Sequence, residues 1–299
     1  MRFSYWPAPT MPWSDLLEMS RHVEATGWDG IWYADHFMPN GEDTSAPWAE
    51  SWTTIAALAA AVPRVRLGPL VTGNTYRHPA VLAKMAATID HISGGRVVLG
   101  LGAGWQENEH LAYGIPFYTM GERLRRLDEA CRTIKALYGS QRASYVGEAY
   151  QLVDAPLEPK PVQDPLPLMI GGGEKVTLRI TAQHADEWNV WGTADILKHK
   201  MTVLDAHCEN VGRDPAEIER SAVALLFLSD DEAFLAKVRA RGTGMPSNIG
   251  GVSEIVDAVG AYGDAGVLEF IVPAFNLGAK ERQKEVLDRF IEEVAPPFR

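Results

Sequence analysis

Short runs of apolar, β-branched and aromatic residues alternate along the chain with longer stretches whose apolar positions recur every three or four residues. The short runs are Arg2–Tyr5, Gly30–Ala34, Val65–Val71, Arg96–Leu101, Leu166–Gly171, Glu187–Val190, Ser221–Leu228 and Leu268–Val272. Several are apolar at nearly every position, as parallel strands covered on both faces must be. Ser14 is placed to cap a first helix, with Asp15 in its first turn, Leu16, Leu17 and Val23 inward, and Gly27 ending it. Helical patterns follow over Thr53–Val62, Ala80–Ile92, Glu122–Tyr138, Glu174–Ala185, Ala194–Asn210, Ser253–Ala265 and Ala279–Glu293. Within Ala80–Ile92, Val81, Met85, Ile89 and Ile92 share one face. Eight strands, each followed by a helix, predict an α/β fold of the closed (β/α)8 TIM-barrel type, one domain over residues 1–299. The competing open, doubly wound sheet would carry its nucleotide fingerprint after the first strand, where Trp6-Pro7-Ala8-Pro9 stands instead. Two stretches, 139–165 and 229–251, read as insertion loops of the kind that become lids.

Composition narrows this little: 46% hydrophobic and 22% charged residues over 299 positions is ordinary for a soluble globular chain. Charge changes the picture more. With 28 basic against 39 acidic residues, a net charge of -11 argues against nonspecific binding to nucleic acid or an anionic membrane. A bound phosphate would have to be held locally, by backbone dipoles and a few side chains. Cys131 and Cys208 lie in helical patterns without metal or redox spacing, which suits free buried thiols in a reducing cytoplasm. No leader-like segment or membrane-length apolar stretch is visible, so a soluble cytoplasmic protein is expected.

In such a barrel, chemistry collects at the C-terminal strand ends. There the chain carries Asp35-His36, then Thr72 to His78, then Gly102 to His110, and finally Gly171-Gly172-Gly173-Glu174 directly before a helix. The triglycine segment reads as an anion cradle in which Gly172, Gly173 and Glu174 offer main-chain amides beside a helix N-terminus. Gly100, Gly102 and Gly104 would let backbone approach a flat ring, or serve as a glycine-rich barrel corner. His36 is a candidate proton carrier near neutral pH, with Glu107 and Glu109 as possible second acids. Trp6, Trp48, Trp105 and Trp191 suggest an aromatic substrate wall. No HxH, HExxH or GxSxG pattern appears, so neither a metal centre nor a serine nucleophile is expected.

These residues carry a resemblance. The run RLGPLVTGNTYRHPAVLAKMAATIDHISGGRVVLGLGAGWQENEHLAYGI, with GWDGIWYADHF before it and LPLMIGGGEKVTLRITAQHADEWN after it, resembles the bacterial luciferase-like oxidoreductases, above all the branch that uses the deazaflavin coenzyme F420. The resemblance implies a (β/α)8 barrel, usually homodimeric, acting on a small-molecule substrate. It implies that Asp35 lies by the deazaflavin and that His36 serves the proton step. It further implies a non-proline cis bond at Leu70-Val71 behind the ring, with Thr72 and Asn74 just beyond. Ala103, Gly104 and Asn108 would line the ring and side chain, while Gly173, Glu174, Val176 and Thr177 would hold the phosphate. Where the family's sugar-phosphate dehydrogenases carry glutamates after strands one and four, this chain has Pro9 or Thr10 and Trp105, which implies a less polar substrate. The family also contains users of flavin mononucleotide (FMN). Two alternatives therefore stand beside the F420 reading: a two-component flavin monooxygenase, and a non-catalytic cofactor-binding protein on the same fold.

Overall fold

A computed structural model describes residues 1–299. The strands are β1 (Arg2–Trp6), β2 (Gly30–Tyr33), β3 (Arg66–Pro69), β4 (Thr72–Gly73), β5 (Leu99–Gly102), β6 (Arg142–Val146), β7 (Gln151–Pro156), β8 (Leu168–Gly171), β9 (Glu187–Trp191), β10 (Glu219–Val223), β11 (Leu225–Leu228), β12 (Ser247–Gly250) and β13 (Glu269–Pro273). The helices are α1 (Trp13–Ala25), α2 (Ser51–Ala61), α3 (Pro79–Ser93), α4 (Glu107–Tyr113), α5 (Met120–Gly139), α6 (Lys175–His184), α7 (Ala194–Asn210), α8 (Glu232–Arg241), α9 (Val252–Asp264) and α10 (Lys280–Arg289).

The main sheet runs β3-β2-β1-β13-β10-β9-β8-β5-β4, and its pairings are parallel. β3 and β4 are two halves of one crossing, joined through Leu70-Val71, whose peptide bond is cis. The first and last positions of the sheet are therefore the same strand, and the cylinder closes with eight members, helped by a bridge from Leu67 to Val97. Trp6, Trp32, Ala34, Leu70, Val98, Met169, Val223 and Ile271 fill its interior. A separate core of 65 buried residues lies between the strands and the helical ring, as the fold requires of strands covered on both faces.

The strand starts are tied by charge. Arg66 bonds Glu269 at 2.8 Å and also pairs with Glu187, Trp32 Nε1 donates to Glu269 at 2.8 Å, and Arg2 pairs with Glu219. This end of the barrel is thus occupied by protein.

Several local expectations need correction. α1 begins at Trp13 after Pro12, with no side-chain cap, so Ser14 is inside the helix and not its cap. On α3, Val81 and Ile92 are exposed; the buried face is Leu82, Ala83, Ala86, Ala87 and Ile89, because small alanines let the helix sit close to its neighbours. Neither insertion is a plain loop. Residues 139–165 contain the antiparallel β6–β7 hairpin, and 229–251 contain α8 and β12. The run Ser221–Leu228 splits at Ala224, its second half leaving the barrel to pair as β11 with β12.

Candidate active site

All eight crossings point the same way, so the segments after β2, β4, β5, β8, β9 and β13 meet at one rim. On one side of that rim His36, just beyond β2, turns its Nδ1 to Glu109 Oε1 at 2.8 Å. Glu109 sits in the first turn of α4 and is fully buried. Its other oxygen accepts the Phe37 amide at 2.7 Å, and the Tyr76 hydroxyl donates to Oε1 as well. Burial works to raise the Glu109 pKa, but His36, the Phe37 amide and Tyr76 outweigh it and hold the carboxyl below its ordinary value. An ionised carboxylate only accepts, so Nδ1 of His36 carries a proton and Nε2 is left as the working atom. Nε2 has no protein partner and is not closed off from solvent. Burial and Glu109 push the Tyr76 hydroxyl far above a normal phenol, so it stays a donor.

Trp105 and Trp48 stand edge-on to the His36 ring, with centroids at 5.3 and 6.3 Å. Across the mouth Trp6, Trp191 and Phe275 form a second aromatic group, Trp6 lying 5.7 Å from Trp191 and 5.0 Å from Phe275. Both pairs of sequence-selected tryptophans therefore reach the rim, in two clusters. Glu107 does not join them: it is exposed on the solvent side of α4, because the helix period that turns Glu109 inward turns its neighbour two positions earlier outward. The expectation of Glu107 as a second acid is corrected accordingly.

Other residues named from the sequence prove to be engaged within the protein. Asp35 is buried with its carboxylate forked by Arg77 at 2.7 and 3.1 Å; burial raises its pKa while Arg77 works against the rise. It anchors the His36 segment from beneath and presents no open oxygen to a ligand, contrary to the expected cofactor contact. Thr72 accepts the Trp52 indole at 2.8 Å. Asn108 donates to the Pro39 carbonyl at 3.0 Å and accepts the Glu109 amide at 2.9 Å. Asn74 differs: its Nδ2 meets the Tyr150 hydroxyl at 3.2 Å, but its buried Oδ1 has no donor. Ala103 is half-buried at the rim.

The glycines have more specific reasons than close approach to a ring. A Cβ on Gly100 would stand 2.0 Å from the Pro69 carbonyl, and on Gly102 or Gly171 2.8 Å from a Val71 methyl. These three positions seat Val71, so the expectation that Gly100 and Gly102 face a ring directly is corrected; Leu70-Val71 occupies that space. Gly104 has φ +81 and adjoins Thr75.

At the β8–α6 corner, Gly172 has φ +122. Its amide donates to Asn189 O at 3.0 Å and its carbonyl accepts Trp188 Nε1 at 2.7 Å, so Gly172 is not the expected anion donor. The next five amides, Gly173, Glu174, Lys175, Val176 and Thr177, have no acceptor in the protein; the helix ladder starts with Leu178 N to Glu174 O, and Glu174 makes no side-chain cap. Five open donors with the positive end of a helix behind them fit a phosphate. Lys200 reaches this corner from α7, its Nζ 2.8 Å from Gly173 O. Sequence reasoning missed Tyr76, Arg77, Phe275 and Lys200, which are remote in the chain from the motifs they serve. Tyr76 and Arg77 lie within the strand-end run Thr72 to His78, but their partners Glu109 and Asp35 are 33 and 42 positions away.

A cavity of about 360 Å³ elsewhere, between α5 and the segment before β8, includes Lys160 and Asp186. Lys160 is held by the Leu137 carbonyl at 2.6 Å and Asp186 by the Leu168 amide at 2.9 Å, while Lys135 and Asp164 on its lining are exposed.

The family model described as luciferase-like monooxygenase matches residues 2–268. An F420-dependent glucose-6-phosphate dehydrogenase of Amycolatopsis mediterranei is 37% identical over 174 residues, 58% of this chain and 51% of the relative. An FMNH(2)-dependent dimethylsulfone monooxygenase of Pseudomonas putida is 28% identical over 285 residues, 84% of this chain and 77% of the relative. The chain thus spans about half the length of the first of these relatives. An F420-dependent secondary alcohol dehydrogenase, solved in complex with an F420-acetone adduct, superposes with a TM-score of 0.86 at 20% identity, covering 100% of this chain and 99% of the other.

Proposed function

The chain belongs to the luciferase-like monooxygenase family, and within it we propose an oxidoreductase dependent on coenzyme F420, moving a hydride between the deazaflavin and a small, largely apolar organic substrate. One observation carries this reading. Five consecutive open amides lie on the same rim as a histidine whose orientation is fixed by a buried carboxylate. The spacing suits a ligand with an anionic tail and a reactive head. The donor-free Asn74 Oδ1 fits a polar edge of such a head, and Leu70-Val71 lies against Gly100, Gly102 and Gly171 as a backing.

When bound, the cofactor supplies the hydride carrier. Everything else falls to the chain. Amides 173–177 hold the tail. Glu109 and Tyr76 keep His36 in one tautomer and one position, so that Nε2 takes the substrate hydroxyl proton in oxidation and returns it in reduction. The two aromatic clusters provide an apolar wall and limit water. The nearby cation, Arg77, is already matched by Asp35 and by Glu50, which disfavours an anionic substrate and favours an alcohol or carbonyl compound. A homodimer is part of this proposal. Exposed Ala57 and Ala60 on α2 and Val81 and Ile92 on α3, interspersed with Lys84, Thr88 and His91, are the surface proposed for a second copy.

Titration of the purified protein with F420 and with FMN tests the reading. Micromolar or tighter binding of F420 is expected. Binding of FMN with none of F420 would replace it with the flavin monooxygenase reading, which the greater coverage of the dimethylsulfone monooxygenase supports. His36→Ala is expected to reduce turnover by about 10²- to 10⁴-fold with cofactor affinity kept. Unchanged turnover would remove His36 from the proton step, and a wild type that binds F420 but turns over no substrate would leave a cofactor-binding protein.

A further inference from the structure

We infer that Lys200 supplies the cation of the tail-binding corner and so makes the protein select the phosphorylated cofactor over its phosphate-free core. The inference rests on the proposal above that a phosphate-tailed tricycle occupies this rim.

Lys200 lies in α7, remote in sequence from the triglycine segment, yet its side chain crosses that segment directly. A Cβ on Gly173 would stand 2.7 Å from Lys200 Cδ and 2.9 Å from both Cε and Nζ. The end of the Lys200 side chain thus lies over the Gly173 backbone, in space that a side chain at 173 would contest. Nζ donates to the Gly173 carbonyl at 2.8 Å. An ammonium has three N–H donors, so this bond fixes its place and leaves two donors free. Lys198, two positions away on the same helix, is paired with Asp195 at 3.6 Å; Lys200 forms no ion pair and rests on a neutral carbonyl. A cation without a counter-ion, in a chain with 39 acidic and 28 basic residues, beside five amides without acceptors, concentrates positive potential where the molecule as a whole is negative. A phosphate dianion placed there receives main-chain bonds and one charge-assisted bond. Lys198, exposed and already paired, serves as the control.

The test is fluorescence titration of wild type, Lys200→Met, Lys200→Arg and Lys198→Met with F420 and with its phosphate-free deazaflavin core, and in parallel with FMN and riboflavin. Wild type should prefer the phosphorylated member of a pair. Lys200→Met should weaken that member about 10-fold and leave the core within about 2-fold, with Lys200→Arg and Lys198→Met close to wild type. A wild type that prefers the phosphorylated member while Lys200→Met binds it equally well overturns the role of Lys200 and leaves the tail-binding corner standing. Equal loss of both members in Lys200→Met reduces the lysine to a packing residue and overturns the inference too. A wild type indifferent to the phosphate, or binding neither tricycle, overturns the proposed cofactor site and the inference with it.

Discussion

At the scale of single residues, the site depends on Glu109 more than on any group that would touch a ligand. It is buried, accepts from three donors, and fixes which nitrogen of His36 faces the mouth. Glu109→Gln presents an amide nitrogen to one of those donors, and kcat/KM is expected to fall about 10- to 100-fold, the usual cost of disturbing an orienting carboxylate, while cofactor affinity holds. Stability should respond with a definite sign. The folded carboxyl titrates below its ordinary 4.5, so its contribution is present above that value and disappears as pH falls through the folded one. Thermal melts of wild type and Glu109→Gln should therefore differ near pH 7 and converge as the pH falls below the ordinary 4.5 and through the lowered folded value. A gap that widens in acid would contradict the assignment. His36 and Glu109 were legible in the sequence because strand-end polar residues stand out against apolar runs. Their coupling was not, since 73 positions separate them, and only the closed barrel brings β2 and α4 together. Glu107 and Glu109 could not be told apart without the phase of the helix.

At the scale of elements, the strand-and-helix alternation was legible because parallel strands buried on both faces leave uninterrupted apolar runs. The excursions at 139–165 and 229–251 were not, because their strands are short and the hairpin pattern of Arg142–Val146 is mostly exposed. The glycines of β5 carry a sharper lesson. Spacing leaves open a ring platform or a glycine-rich barrel corner, and Gly100 and Gly102 follow the second, making room for the crossing that closes the cylinder. Gly100→Ala would press a methyl to 2.0 Å from the Pro69 carbonyl, a backbone atom that cannot rotate away, and should destabilise by about 1–3 kcal/mol. Gly260→Ala, inside α9 with Phe298 at an ordinary 3.7 Å, should stabilise by about 0.5–1 kcal/mol through helix propensity. Opposite shifts of the melting temperature in the two variants are expected; a neutral Gly100→Ala would show that the crossing is less tightly set than described.

At the scale of the whole molecule, the exposed α2–α3 face and the net charge of -11 act in opposition. Apolar burial favours a dimer, and like charge opposes it at low salt. Light scattering after gel filtration should give twice the 32.8 kDa chain mass near 0.15 M salt, and Val81→Glu with Ile92→Glu should return it to the monomer. A wild-type monomer at micromolar concentration would remove the dimer from the proposal. The far end of the cylinder has a different consequence. With Arg66, Glu187 and Glu269 bonded across the strand starts, no corridor runs through the protein. Traffic is two-way through a single doorway. On the proposed function, a long-tailed coenzyme and its reaction partner would share that entrance, so ordered arrival, coenzyme first, is the expected outcome of initial-rate and product-inhibition kinetics.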